Sequence, residues 1–548
     1  MKALTIHPGS RFVVVLLQLI CLVAAACTSS SGSTPIFTAS TPVLAASFHA
    51  TDTSDGGGLD PRIVNIMDEA FHRYGEWGLL EIDPATGQVV HSLAPAGRFF
   101  VQGSVTKLFP VSAALDDLGF HHQFTTPVYA LGNMAGGTLN GNLVLVAQGD
   151  LTMGGRTRPD GTVDFTNVDH TYANDVPGAT LTPEDPLAGL NQLAQQVRAS
   201  GITHVNGDVV IDARLFQPDP ELDPVPVPIT INDNLIDIML TPGPVGAGPK
   251  SVTWRPHVAP YHLDVQVKTV AAGQPTALQV QTFSDGRILV SGTIAADAGQ
   301  QVRVAPVLDA ASFARTALIE ALDRAGISVS AAATGPNPVS KLPKNGSYQG
   351  DPRVAAYVSP PFQEYARLIF KVSHNYGANL TLCLMAVKAG STNCSAGFAV
   401  MASFLDRIHV HRDQVALADG RGGNPVDRFT PEAVIGLLSY WLKQPEAAAF
   451  RHLLPILGET GGLSGSCTNC PAKGKVFAKT GTVALPDLLN DRIALDVAVA
   501  GYLEAEPGQF HVFDLVVNGS VVPDINSVLK VYDDLGNISG YLQEDAAS

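Results

Sequence analysis

The stretch Gly103-Ser104-Val105-Thr106-Lys107-Leu108-Phe109-Pro110-Val111-Ser112-Ala113-Ala114-Leu115 decides how this chain is read. Gly103-Ser104 marks a helix start, and Leu108, Val111, Ala114, Leu115 and Leu118 recur on one face until Gly119 ends the pattern. Residues three apart on a helix share a face, so Oγ of Ser104 and Nζ of Lys107 can meet at the helix N-terminus. A serine hydroxyl is a weak nucleophile until a neighbour takes its proton. A lysine does that only if burial or a nearby cation lowers its pKa. Alone the pattern is weak, because a chain of this composition holds about one Ser-x-x-Lys by chance. Its plain alternative is a helix cap followed by a surface lysine.

Two further motifs lie well downstream. Ser373-His374-Asn375 follows the helical pattern Tyr365, Leu368, Ile369, Val372, which delivers it into a packed turn. A second Ser-x-Asn, Ser391-Thr392-Asn393, sits in a Gly-Ser-Thr loop and is set aside. Lys479-Thr480-Gly481-Thr482 follows the apolar Val476-Phe477-Ala478 and is expected on a strand facing the site. There a cation beside a hydroxyl suits a terminal carboxylate, and Gly481 would admit a substrate backbone. Each motif also occurs as an ordinary turn or strand end. All three together, in this order, resemble the serine–lysine, serine–aspartate–asparagine and lysine–threonine–glycine set of penicillin-binding proteins and class A β-lactamases, with His374 in the middle of the second motif.

With those motifs the chain resembles the D-alanyl-D-alanine carboxypeptidase/endopeptidase family of low-molecular-mass class C penicillin-binding proteins. The resemblance runs over roughly residues 60–520 and includes Gly149-Asp150, Gly201 to Asp212, Ile231-Asn-Asp-Asn234 to Gly243, and Leu454-Pro455 with Gly458. It implies that Ser104 forms the acyl-enzyme and that Lys107 accepts its proton. It further implies that Ser373 and Asn375 relay a proton to the leaving amine and hold the substrate amide. Lys479 and Thr480 would bind the terminal carboxylate, with Gly481 and Thr482 lining the same strand. The backbone amides of Ser104 and Thr482 would form the oxyanion hole. The chain departs from the family at Arg421 in Asp419-Gly-Arg-Gly, at Asn379 after Ala378, and at Cys467-Thr-Asn-Cys470.

The expected fold is α/β (α+β), of the penicillin-binding-protein/β-lactamase-like transpeptidase type. Its mainly antiparallel sheet is flanked by helices, and a large β-rich insert of two small domains interrupts it. The catalytic part spans 59–129 and 346–548, and the insert 130–345. The implied activity is that of a serine-type D-Ala-D-Ala carboxypeptidase, with D,D-endopeptidase action drawing on the same chemistry. Peptidoglycan peptides are its substrates and β-lactams its covalent inhibitors. Two other readings share these residues: a β-lactamase or esterase, and a wall-binding scaffold that keeps the fold without catalysis.

At 548 residues the chain is too long for one core, so several domains are expected. Its net charge of −16, with no basic run, argues against a nucleic-acid partner. Lys2 and Arg11 precede an apolar run from Phe12 to Ala26, which reads as a secretory signal over residues 1–27. Ala24-Ala25-Ala26-Cys27 also resembles a lipoprotein processing site, so lipidation of Cys27 and plain cleavage both stand. A Ser-, Thr- and Gly-rich leader follows at 28–58. An exported, envelope or periplasmic location makes disulfides permissible among Cys383, Cys394, Cys467 and Cys470, with the pairing open. No metal or organic cofactor is implied, since His121, His122, His409 and His411 read as solvated or core residues.

Overall fold

The computed structural model describes residues 58–94 and 97–548. The expected signal, the lipidation site at Cys27 and all but the last residue of the leader lie outside the described residues. The first helix, α1 (Pro61–Met67), starts where Asp60 accepts a hydrogen bond from the Arg62 amide and Pro61 occupies the first helical position.

A five-stranded sheet forms the centre of one body of the protein. It contains β1 (Glu76–Asp83), β2 (Gln88–Leu93), β17 (Val476–Asp487), β18 (Arg492–Glu506) and β19 (Gln509–Val522), in the order β17-β18-β19-β1-β2. Every neighbouring pair is antiparallel. Both faces are covered, and β18 shows how its sequence does this. Leu495, Val497, Val499 and Leu503 join one apolar cluster, while Ala498, Ala500 and Tyr502 join the other. The first cluster includes residues of α1 and of the C-terminal helix α10 (Ile525–Ala546). The second receives α2 (Leu108–Leu118), α5 (Phe362–Lys371), α6 (Asn375–Lys388), α7 (Gly397–Arg407), α8 (Pro431–Leu442) and α9 (Ala447–Leu453).

The chain leaves this body along β3 (Thr125–Ala135) and returns along β14 (Arg353–Val358), and these two strands pair antiparallel. They belong to a six-stranded sheet with β4 (Thr138–Val146), β5 (His204–Val205), β6 (Val209–Asp212) and β13 (Ser328–Val329). Residues of helices α3 (Ala188–Ala199) and α4 (Ala310–Arg324) share its core. Two three-stranded sheets complete the insert. One is β12-β7-β8, from β7 (Leu235–Thr241), β8 (Ser251–Arg255) and β12 (Gln301–Pro306). The other is β10-β11-β9, from β9 (His262–Val270), β10 (Ala277–Thr282) and β11 (Arg287–Ala295). One apolar cluster runs through all three sheets, so the insert's parts share a core. A short pair, β15 (Val415–Ala416) with β16 (Arg428–Phe429), closes a loop between α7 and α8.

Sequence patterning ends the chain on two strands, whereas a 22-residue helix, α10, follows them. Gly536 and Gly540 interrupt its helical signal, and both positions are tightly packed. A Cβ on Gly536 would lie 2.5 Å from Ser466, and one on Gly540 would lie 3.0 Å from Sγ of Cys467. The four cysteines pair as Cys383–Cys394, joining α6 to the turn before α7, and as Cys467–Cys470 beside α10.

Candidate active site

Ser104 stands in a 3₁₀ turn, Gly103–Lys107, that runs directly into α2. The turn lets Lys107 fold back beneath Ser104, so Nζ lies 2.7 Å from Oγ. Nζ also donates to Oδ1 of Asn375 at 2.8 Å and to the carbonyl oxygen of Arg421 at 2.7 Å. Lys107 is fully buried, whereas Ser104, Ser373 and Asn375 are half-buried. Burial above all, then the charges of Lys479 and Arg421, pushes the Lys107 ammonium well below its ordinary value. A neutral amine donates two hydrogens and accepts one. The carbonyl oxygens of Asn375 and Arg421 can only accept, so the Ser104 hydroxyl is left to donate into the amine lone pair. That is the starting arrangement for proton removal from a nucleophilic serine.

Ser373 lies between α5 and α6 with φ of 59°, a left-handed conformation unfavourable to a residue with a Cβ. Two contacts hold it. Its Oγ accepts from Lys479 Nζ at 2.9 Å, and its carbonyl oxygen accepts from the Tyr172 hydroxyl at 2.5 Å. Asn375 opens α6, with His374 as the cap.

Lys479 lies on β17, fully buried, and Nζ also donates to the Thr480 carbonyl at 2.6 Å. Burial lowers its pKa to about 7. The next residue on that strand faces the other way. Oγ1 of Thr480 lies 2.8 Å from the hydroxyl of Tyr532 on α10, which in turn donates to the Gly462 carbonyl. Thr482 runs alongside the nucleophile turn, since a Cβ on Gly103 would sit 2.8 Å from its amide nitrogen. Gly481 has a different neighbour from the substrate backbone expected of it. A Cβ there would fall 1.9 Å from the Gln102 carbonyl oxygen, so the backbone it admits is the protein's own nucleophile turn.

The loop after β15 closes the site from below. Asp419 Oδ1 accepts from the amides of Arg421 and Gly422 at 2.9 and 2.7 Å, which turns the Arg421 carbonyl toward Lys107. A Cβ on Gly422 would meet the Gly103 carbonyl oxygen at 1.9 Å, so glycines 103, 422 and 481 let three backbone segments converge on Ser104. The three departures from the family pattern also have places here. The Arg421 guanidinium reaches Asp223 of the insert at 3.0 Å and Asp419 at 3.3 Å. Buried Asn379 accepts from the Gly420 amide at 2.9 Å and donates to the Pro224 carbonyl at 3.1 Å, joining loop and insert without a charge. The disulfide Cys467–Cys470 supports α10, which carries Tyr532.

The motif residues thus form two hydrogen-bonded groups, Lys107 with Ser104 and Asn375, and Lys479 with Ser373, which the turn 373–375 joins, with Gly481 and Thr482 against the serine turn. Thr480 points toward Tyr532. Patterning did not single out the Arg421 carbonyl, Tyr172 or Tyr532, and no local signal marks any of them.

The chain is similar to known proteins over most of its length. The profile of the D-Ala-D-Ala carboxypeptidase 3 (S13) family matches residues 73–533. A D-alanyl-D-alanine carboxypeptidase of Actinomadura sp. (strain R39) is 26% identical over 471 residues, covering 81% of this chain and 78% of its own. The D-alanyl-D-alanine carboxypeptidase DacB of Haemophilus influenzae is 21% identical over 452 residues, covering 79% and 83%. The fold is that of the crystal structure of penicillin binding protein 4 (dacB) from Haemophilus influenzae. The match has a TM-score of 0.64 at 19% identity and covers 88% of this chain and 99% of that one. The same protein complexed with a β-lactam matches with a TM-score of 0.62.

Proposed function

The chain belongs to the D-Ala-D-Ala carboxypeptidase 3 (S13) family, and from that premise we propose that it hydrolyses the D-Ala-D-Ala bond of peptidoglycan stem peptides through an acyl-enzyme on Ser104. The observation that carries this reading is the buried Lys107, whose Nζ lies 2.7 Å from Oγ of Ser104.

Lys107 takes the hydroxyl proton as Oγ adds to the carbonyl carbon between the two D-alanines. The amides of Ser104 and Thr482 receive the developing oxyanion. Collapse expels the terminal D-alanine, whose nitrogen gains a proton through Ser373 while Asn375 holds the substrate amide. Lys479 draws in the terminal carboxylate before that step, whereas Thr480, turned toward Tyr532, takes no part in that contact. Water then adds to the ester and returns Ser104 to its starting state. A β-lactam enters the same way, but its opened ring stays tethered as the acyl group. Where the leaving amine belongs to the second peptide of a cross-link, and water is again the acceptor, the same chemistry gives D,D-endopeptidase action.

Residues before β3 and after β14 form the catalytic body on this reading, and those between form the insert. The chain works outside the cytoplasm, at the cell envelope, with a lipid on Cys27 as one means of retention. No helix among the described residues is long and apolar enough to cross a membrane.

The deciding experiment is covalent labelling of the purified protein with a fluorescent penicillin. Persistent label on the wild type and none on Ser104→Ala is expected. An unlabelled but folded wild type would overturn the proposal, and rapid release of hydrolysed penicillin would turn it toward a β-lactamase.

A further inference from the structure

Given that Ser104, Ser373 and Asn375 carry the reaction, we infer that the insert sets the geometry of Ser373 and Asn375 through His374, a positioning residue clamped by Asp233. His374 is fully buried between the two nucleophile-side motif residues. Its Nδ1 accepts the Gly377 amide at 2.9 Å and so caps α6. An accepting Nδ1 bears no hydrogen, so the ring is neutral and its proton sits on Nε2. Nε2 then donates to Oδ1 of Asp233 at 3.0 Å. One ring therefore ties the first turn of α6, where Asn375 begins the helix, to a carboxylate of the insert.

Asp233 is itself held from the far side. Its Oδ2 accepts from Nε2 of His170 and from Nη2 of Arg156, each at 2.8 Å. Arg156 also binds Asp169 at 2.6 Å, and Asp237 binds both Nδ1 of His170, at 2.5 Å, and Nε of Arg255, at 3.0 Å. Both nitrogens of His170 face carboxylates, so this second imidazole is doubly protonated, with a pKa of about 10 despite burial. Three cations, Arg156, His170 and Arg255, thereby balance three carboxylates, Asp169, Asp233 and Asp237.

Backbone strain marks the contact on both sides. Asn232, Asp233 and Asn234 have φ of 51°, 55° and 54°, and Ser373 has 59°. Consecutive left-handed residues with side chains persist only where their surroundings fix them. Tyr172, from the same insert, fixes the other side by donating to the Ser373 carbonyl. A buried ion cluster is poor evidence of stability for its own sake and is better suited to fixing one arrangement. The arrangement it fixes here is the turn that presents Ser373 and Asn375 to Lys479 and Lys107.

The test compares wild type, His374→Asn and Tyr172→Phe in the full chain, by the second-order rate constant of acylation with fluorescent penicillin and by melting temperature. Asparagine retains a capping oxygen for Gly377 but is too short to reach Asp233. The expected result is a melting temperature near that of wild type with acylation slowed about tenfold to a hundredfold, the scale of an ångström's misplacement. Label must still appear on Ser104 at full stoichiometry. Acylation of His374→Asn at the wild-type rate overturns the inference. Should that variant melt early, Tyr172→Phe decides, because it removes one hydroxyl and no charge. Slowed acylation upholds the inference, and an unchanged rate overturns it. A wild type that takes no label overturns the functional reading first and the inference with it, an outcome plainly distinct from unequal rates among labelled proteins.

Discussion

Replacing Gly481 with alanine tests whether backbone convergence at Ser104 governs the reaction. The added Cβ would lie 1.9 Å from the Gln102 carbonyl oxygen and 2.9 Å from the Val105 amide nitrogen, both main-chain atoms. Carbon and carbonyl oxygen settle at about 3.3 Å or more, so strand and turn must part by about 1.4 Å. The strand cannot yield alone, because Gly481 pairs with Ala498 within a ladder that continues from Val476 to Asp487. The turn carrying Ser104 therefore moves, and with it the serine-to-lysine contact. Overpacking of this kind costs about 1–3 kcal/mol of stability, while displacement of a reacting group by an ångström costs about a hundredfold in rate. We expect Gly481→Ala to remain folded, with a lower melting temperature and acylation by fluorescent penicillin slowed at least a hundredfold. Gly465→Ala, where a Cβ meets nothing within 4 Å, serves as the control and should match wild type. Acylation of Gly481→Ala within about tenfold of wild type would refute the reasoning.

Two predictions concern protons. Lys107 must be neutral to accept the Ser104 proton, and Lys479 must be charged to attract a carboxylate. Acylation should therefore rise with pH as Lys107 is deprotonated, and capture of a carboxylate-bearing substrate should weaken as pH passes about 7, where Lys479 loses its charge. A kcat/KM profile for D-alanine release that is flat from pH 5 to 9 would contradict these assignments. Asp514, on β19 beneath the site, accepts from Nε2 of Gln102 at 2.8 Å, and burial raises its carboxyl to about 7. A carboxyl raised on folding favours the folded state most at low pH, and that contribution is lost as pH climbs from the unfolded value through about 7. Asp514→Asn should thus be the more stable protein at pH 8, by about 1–4 kcal/mol in denaturant melts, and should lose the advantage at pH 4. Equal pH dependence in the two proteins would sink that account.

The sequence made legible whatever chemistry is written in near neighbours. Ser104 and Lys107 are three apart on a helix start, and Lys479 to Thr482 follow an apolar strand, so residue type and spacing carried the reading. Other parts of the site had no such signature. The third partner of Lys107 is a main-chain carbonyl, which carries no residue identity, and Asp419 folds the loop that presents it. Tyr172 and Asp233 lie far along the chain from the turn they hold, and only the folded insert brings them to it. Tyr532 was obscured differently. Gly536 and Gly540 weaken the helix propensity of α10, and only packing against Ser466 and Cys467 shows why they are tolerated.

The strand order also determines when this protein can become active. β1 is made near the beginning of the chain, yet it pairs with β19, whose last residue is Val522. Ser104 emerges early as well, while the residues that surround it are supplied at positions 373, 375, 421 and 479 to 482. A polypeptide cut short before Val476 leaves the sheet without β17, β18 and its middle strand β19. The serine then has no strand beside it and no second lysine. Completeness of synthesis is in this way a condition of reactivity, and a fragment carrying Ser104 alone lacks the groups that surround it in the folded chain.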